Sequence, residues 1–164
     1  MDDGDREVLT IRPLGSPDEA EACARMMCAS EPWITLLRDF AAALTLIQDP
    51  TREVHVARLD GRFAGFVILV MCGAFTGYIQ SICITPELRG RGLGSRLMAF
   101  AEERILRETP NVFLCVSSFN PDARRLYERL GYEVVGELKD YIIAGHSEIL
   151  MRKTTGPLAG FKKT

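Results

Sequence analysis

Hydrophobic positions along this chain of 164 residues recur with two different periods, and each period predicts one kind of element. Apolar residues three or four positions apart predict helices, whereas alternation or short β-branched runs predict strands. Asp60-Gly61, between two such strands, is typical of a two-residue hairpin turn. The predicted strands cover residues 8–12, 54–59, 63–71, 78–84, 112–116, 132–138 and 148–153, and the predicted helices cover about residues 16–30, 33–48, 92–108 and 121–130.

The order of these elements predicts an α+β fold. A strand, two helices and a three-stranded meander are followed by helix, strand, helix and two final strands, which indicates a mostly antiparallel sheet with one helical crossover. The continuous apolar run at residues 112–116 is typical of a buried strand reached through a helix. No linker or internal repeat divides the chain, so we expect one domain over residues 1–153 and a tail over residues 154–164.

Composition and charge exclude several classes of protein. A net charge of -2 predicts no nucleic-acid partner and no anionic membrane surface as a partner. No apolar run approaches the ~20 residues of a membrane helix. The acidic start at residues 1–7 argues against a secretory or transit peptide, so we expect a cytoplasmic location. The five cysteines contain no C-x-x-C pair, so we expect neither a metal site nor a disulfide framework.

The most informative stretch, residues 89–95, lies between a predicted strand and a predicted helix. It reads Arg-Gly-Arg-Gly-Leu-Gly-Ser, and three glycines at alternate positions open the backbone to a ligand. Free amides at a helix start favour an anion, and Arg89 and Arg91 add positive charge. We expect a cradle for a phosphate or pyrophosphate, although the spacing fits neither a P-loop nor a dinucleotide fingerprint. The alternative is a flexible turn with two solvated arginines.

A second motif begins at Asn120. This residue precedes Pro121, so it predicts a helix N-cap followed by a proline at the first helical position. Ala123 and Tyr127 fall on one face of this helix, and Gly131 ends it. Tyr127 alone would be an ordinary core aromatic, so its interpretation depends on the rest of the chain.

Together these two segments resemble the GNAT superfamily of acyl-CoA-dependent N-acetyltransferases. Residues 89–94 are similar to its R/Q-x-x-G-x-G/A pyrophosphate loop, and residues 120–132 to its N-x-x-A-x-x-x-Y-x-x-x-G-F/Y signature. The resemblance extends over residues 8–153. It implies a central sheet of about seven strands with helices on both faces and a V-shaped cofactor opening between strands 4 and 5.

The resemblance also implies roles for individual residues, with acetyl-CoA as the co-substrate. Tyr127 would protonate the departing thiolate of CoA, and Asn120 would hydrogen-bond the pantetheine arm. Backbone groups of strand 4 would pair with that arm, and backbone amides of the glycine-rich stretch would bind the pyrophosphate. These further cofactor-binding residues are Ile82, Cys83, Ile84, Arg89, Gly90, Arg91, Gly92, Leu93, Gly94 and Ser95.

The general base is the point at which the chain departs from a related branch. The ribosomal-protein alanine N-acetyltransferases carry a glutamate five residues before the equivalent of Asn120, and this chain has Cys115 there. A thiol on an apolar strand is a poor base, so we do not assign that role to Cys115. The other candidates are Tyr78, Tyr141 and His146, although we expect both histidines at the surface or in turns. A water chain is an alternative to all three.

The sequence does not identify the acceptor. We expect an amine of a small molecule, peptide or protein, and Trp33, Tyr78 and Tyr141 are candidates for contact with it. Alternatives from other classes are an acyl-CoA-binding sensor without turnover, a transferase for a longer acyl group and a transferase with a hydroxyl acceptor. The oligomeric state, including a homodimer, is left open.

Overall fold

A computed structural model describes residues 7–164, which form a sheet of seven strands and four α-helices. The strands are β1 (Leu9–Pro13), β2 (Arg52–Leu59), β3 (Arg62–Val70), β4 (Tyr78–Ile84), β5 (Asn111–Ser117), β6 (Glu133–Lys139) and β7 (Ser147–Thr154). Their order across the sheet is β1-β2-β3-β4-β5-β7-β6, and only the β4–β5 pair is parallel in the described chain. The predicted mixed, mostly antiparallel sheet of seven strands is therefore confirmed. The segment 1–6, on which the expected absence of a leader largely rests, lies outside the described residues.

Helices cover both faces of the sheet, as predicted. Two of them pack over a buried cluster that includes Phe66 and Cys83, and the other two pack over a larger cluster that includes Leu97 and Leu114. Within residues 7–164, no helix combines the length and the hydrophobicity that crossing a membrane requires. In chain order, the first pair is α1 (Pro17–Cys28) and α2 (Phe40–Gln48), and the second pair is α3 (Leu93–Leu106) and α4 (Pro121–Arg129).

The second helix is shorter than the sequence predicted. The prediction began at Trp33, but α2 begins at Phe40, because the Asp39 side chain caps the helix by accepting from the Ala42 amide at 2.8 Å. Leu37, with a φ of 57°, lies in the left-handed region, which a right-handed helix cannot contain. The preceding residues therefore form turns.

The expectation for the histidines is wrong for His55. This residue lies on β2, where it is buried, and its ring packs edge-on against Phe100 of α3 at 4.9 Å between centroids. Burial lowers the pKa of the imidazole, which favours the neutral ring in this packing role.

An opening in the sheet results from the short contact between β4 and β5. These parallel strands pair only through Tyr78 and Ile79 of β4, although both strands continue beyond that point. Gln80 is an extra residue in the ladder with β3, and such a bulge bends its strand. The strands diverge from there, so the main chain of residues 80–84 has β3 on one side and the expected V-shaped opening on the other.

The residues after β7 return along the turn between α3 and β5. The amide of Thr155 donates to the carbonyl of Pro110 at 2.9 Å, and the amide of Thr164 donates to the carbonyl of Arg107 at 3.0 Å. Thr154, which the sequence assigned to the tail, still belongs to the last strand.

Candidate active site

A cavity of about 940 Å³ occupies the opening between β4 and β5. Its volume lies within the range of roughly 300–1,000 Å³ that is common for ligand sites. One wall comes from the segment before α2, and another wall comes from β7 and the segment after β6. The residues predicted for the site that line this cavity are Trp33, Tyr78, Ile82, Cys83, Ile84, Arg89, Asn120, Tyr127 and Tyr141.

The glycine-rich stretch lies beside this cavity, at the start of α3. Gly90 and Gly92 take φ values of 74° and 77°, which glycine adopts without the strain that a side chain would cause. A Cβ atom built on Gly90, Gly92 or Gly94 would meet no atom within 4 Å among the described residues. The backbone here faces open space, and the first turn of α3 leaves amides without helical partners. The pyrophosphate of acetyl-CoA fits such a cradle of amides.

The two arginines of this stretch have different surroundings. Arg89 turns back to the end of β4, where its Nε donates to the carbonyl of Ile84 at 3.0 Å and its Nη2 donates to Ser30 at 3.3 Å. Its own amide donates to the carbonyl of Pro86 at 3.3 Å, so the amides available to an anion begin with the next residue. Arg91 pairs with Glu7, which offsets part of its charge.

Asn120 and Tyr127 face the cavity from α4. The Oδ1 atom of Asn120 caps the helix by accepting from the Ala123 amide at 3.3 Å, so the side-chain NH₂ group remains as a donor. Tyr127 lies seven residues further on, on the same face of the helix and about 10 Å along its axis. Its side chain is buried, which raises the pKa of the phenol to about 12 and keeps it protonated near neutral pH.

A carboxylate that the sequence analysis did not propose also lines this cavity. Glu148, on β7, is only 5% exposed, and its Oε1 atom accepts a hydrogen bond from Ser117 at 2.6 Å. The two residues lie directly opposite each other in the β5–β7 ladder. Burial raises the pKa of the Glu148 carboxyl, although the hydrogen bond from Ser117 opposes this effect. An acid–base group with a raised pKa in a cavity is suited to proton transfer near neutral pH.

Tyr78 and Cys115 lie on the same side of the cavity as this carboxylate. Burial and the neighbouring Cys115 raise the pKa of the Tyr78 phenol, so its hydroxyl is a donor near neutral pH. Burial also raises the pKa of the Cys115 thiol, and the charge of Glu148 adds to this increase. The thiol therefore keeps its proton near neutral pH.

The remaining candidates differ in position. Trp33 is 9% exposed and forms part of the wall before α2, whereas Tyr141 is 64% exposed. His146 is not among the described residues that line the cavity, and its ring instead packs against Phe119 at 4.8 Å between centroids.

Sequence reasoning missed Glu148 because its position depends on which strands are neighbours. The sequence indicated a last strand beginning at this residue, and the structure buries Ile149 and Met151 on one of its faces. The sequence did not indicate that β7 lies between β5 and β6, which places Glu148 opposite Ser117. The available signal was a glutamate in an otherwise apolar run, on the face opposite Ile149.

Comparisons with known proteins agree with this fold. The profile of the Acetyltransferase (GNAT) family matches residues 19–132. The S-(2-succino)cysteine N-acetyltransferase of Bacillus subtilis is 33% identical over 139 residues, which are 76% of this chain and 83% of that protein. The N-alpha-acetyltransferase RimI of Mycobacterium tuberculosis is 28% identical over 163 residues, 93% of this chain and 96% of that protein. An aminoglycoside 6'-N-acetyltransferase solved with coenzyme A superposes with a TM-score of 0.73 at 18% identity, over 90% of this chain and 98% of the other.

The family match extends over more than half of the chain and includes both motifs of the sequence analysis. The chain therefore belongs to the GNAT acetyltransferase family, as its resemblance indicated. It is an N-acetyltransferase of this family whose acceptor amine is not identified by the comparisons.

Proposed function

We propose that the protein transfers the acetyl group of acetyl-CoA to an amine inside the cavity between β4 and β5. The observation that carries this proposal is that the cavity brings together a buried tyrosine, a buried glutamate and a helix-capping asparagine, namely Tyr127, Glu148 and Asn120. Two of these three groups can move a proton. The third is positioned to bind the donor substrate.

Acetyl-CoA supplies the thioester carbonyl that the amine attacks. The amides that follow Arg89 and the first turn of α3 bind its pyrophosphate, since they face open space. The NH₂ group of Asn120 donates to the pantetheine arm. The main chain of Ile82, Cys83 and Ile84 extends along the divergent part of β4 and hydrogen-bonds the same arm. The pantetheine arm thus binds along the part of the β4 edge that does not pair with β5.

Glu148 is the proposed general base. An alkyl ammonium has a pKa of about 10.4, so the acceptor must lose a proton before it can attack. The buried carboxylate of Glu148 accepts that proton, because its raised pKa increases its basicity. The hydrogen bond from Ser117 holds the carboxylate in the lining of the cavity. This assignment provides a general base in a chain that has Cys115 where a related branch has a glutamate.

Tyr127 is the proposed general acid. With its pKa raised to about 12, the phenol is protonated at neutral pH and can donate its proton to the departing sulfur. Its position on the same helix face as Asn120 aligns the proton donor with the pantetheine-binding group. The chain thus supplies a base and an acid from different elements, β7 and α4.

The test is a screen for acetylated products by mass spectrometry. The protein is incubated with acetyl-CoA and four panels of acceptors: amino acids, short peptides, polyamines and aminoglycosides. We expect product from one class of amine with the wild type and far less product with Tyr127→Phe and Glu148→Gln. Binding of acetyl-CoA without acetylation of any amine would contradict the proposal and favour an acyl-CoA sensor.

A further inference from the structure

The cavity contains an arginine without an internal partner. Arg38 belongs to the turns before α2, lines the cavity, and has an Nε atom that is buried without a hydrogen-bond partner. Among the ion pairs formed within residues 7–164, none involves this guanidinium. Arg89, the other arginine of the cavity, donates to a carbonyl and a hydroxyl. A buried donor without a partner lowers stability, and a ligand in this cavity can supply the missing acceptor.

A second unpaired group lies in the same cavity. The Oε1 atom of Gln80, the extra residue of the β4 bulge, is buried and has no hydrogen-bond partner in the described chain. Arg38 can only donate, whereas this oxygen can only accept. The cavity thus offers a donor and an acceptor to a ligand that carries the opposite groups.

Glu148 and Arg38 line the cavity from two different parts of the fold. Glu148 lies on β7, whereas Arg38 lies in the turns before α2. Glu31 lines the cavity from the same segment as Arg38, and its carboxylate accepts from the amide of Thr35 at 3.2 Å and from the hydroxyl of Thr35 at 3.0 Å, but it forms no ion pair with Arg38 in the described chain. A ligand with several positive charges would meet the uncompensated charge of Arg38, which disfavours it. A ligand with one positive and one negative end would match both walls.

We propose that Arg38 binds a carboxylate of the acceptor while the amine of the acceptor faces Glu148. This proposal rests on the proposed acetyl transfer and narrows the acceptor to amines that carry a carboxylate, such as α-amino acids. The guanidinium presents N–H groups in a planar fork that matches a carboxylate, and the acceptor satisfies the buried Nε atom. Gln80 accepts an N–H of the same molecule. Trp33 and Leu36 provide apolar surface beside the arginine for the rest of the acceptor.

Binding of matched pairs of probes tests the proposal without requiring turnover. Trp33 is the single tryptophan of the chain and lines the cavity, so its fluorescence reports occupancy. The CoA-bound protein is titrated with L-phenylalanine and L-methionine, with the carboxamides of both, and with spermidine. Each carboxamide keeps the amine and the side chain of its acid and removes only the negative charge. We expect at least one of the acids to bind about 10–100-fold more tightly than its carboxamide, and spermidine to bind more weakly than that acid.

Two variants separate the role of Arg38 from general effects of charge. Arg38→Met keeps an apolar side chain of similar length, so we expect the Kd of the acid to rise about 10–100-fold and the difference from the carboxamide to disappear. Arg62→Met, which removes an exposed arginine at the β2–β3 hairpin, should leave both affinities unchanged. The Tm of Arg38→Met should equal or exceed that of the wild type, because the variant no longer buries an unpaired donor.

The proposal is overturned if both acids and their carboxamides bind equally, if spermidine binds best, or if neither acid gives a saturable response. An Arg38→Met variant that keeps the preference for acids would also overturn it. Failure of the proposed function is distinguishable, since it appears as the absence of acetylated product in the enzymatic screen and leaves these binding constants unaffected.

Discussion

At the scale of single residues, burial gives two side chains of one cavity opposite tasks. It raises the pKa of Tyr127 to about 12, so the phenol keeps its proton, and it raises the pKa of Glu148, so the carboxylate becomes a stronger base. Desolvation disfavours the charged form of both groups. An acid and a base in one site are thus obtained from one physical effect acting on two different groups.

Replacement of Tyr127 by phenylalanine removes only the proposed proton donor. We expect kcat to fall by roughly 10²- to 10⁴-fold, while the Kd of CoA measured by calorimetry changes less than about twofold. Tyr132→Phe is the matched control, because the ring of Tyr132 packs edge-on to that of Tyr127 at 6.0 Å between centroids but is not among the described residues that line the cavity. Equal losses of kcat in both variants would contradict a specific role for the phenol.

Replacement of Glu148 by glutamine should lower activity and raise stability. Its folded-state pKa lies above the unfolded value of about 4.3, so the ionised form destabilises the fold as pH rises through the folded pKa. We therefore expect the glutamine variant to have a higher Tm than the wild type at pH 7 to 8. This difference in Tm should shrink below about pH 4.3, where Glu148 is protonated in both the folded and the unfolded wild type.

The same variant should lose the limb of the pH profile of kcat/KM that reports deprotonation of this carboxyl, with kcat reduced roughly 10²- to 10⁴-fold. Glu137→Gln, at an exposed position of the neighbouring β6, is the control and should change neither the pH profile of kcat/KM nor kcat. A wild-type pH profile in Glu148→Gln would show that another group is the base.

At the scale of elements, the loop before α3 and the bulge in β4 shape the donor side of the site. The sequence predicted the loop well, because three glycines between a strand and a helix permit backbone conformations that other residues adopt only with strain. It predicted the second helix poorly, because apolar positions between Trp33 and Leu37 continue the helical spacing. The capping side chain of Asp39 and the left-handed conformation of Leu37 end that continuity, and both depend on local geometry that periodicity does not report.

Alanine replacement of Gly92 tests the loop against a control with the same backbone strain. Gly92 and Gly61 both have a φ of 77° and open space where a Cβ would lie, but Gly61 is in the turn between β2 and β3. Both replacements should lower the free energy of unfolding by about 1 kcal/mol, because alanine tolerates this conformation poorly. Only Gly92→Ala should weaken CoA binding as measured by calorimetry, and equal affinities in the two variants would contradict a pyrophosphate site at this loop.

At the scale of the whole molecule, chain-local patterns predicted the elements, and the pairing of distant strands determined the site. All seven strands and both motifs were apparent from periodicity and spacing. The position of β7 between β5 and β6 was not, because strand order depends on contacts between residues far apart in the chain. That order places Glu148 in the cavity, and the segment before α2 adds Arg38. Sequence reasoning proposed Trp33, Tyr78 and Tyr141 for the acceptor side but neither of these two charged residues.

Hydrogen exchange of the whole chain tests how the sheet and the loop act together in binding CoA. The edge of β4 over residues 80–84 faces the opening, and the amides from residue 90 to 95 donate to no backbone carbonyl in the described chain. Bound CoA should therefore slow exchange in both segments, since it provides acceptors and excludes water. The β2–β3 hairpin, residues 52–70, already pairs along its length and should exchange at the same rate with and without CoA. Protection confined to other segments, or spread evenly over the chain, would place the cofactor elsewhere.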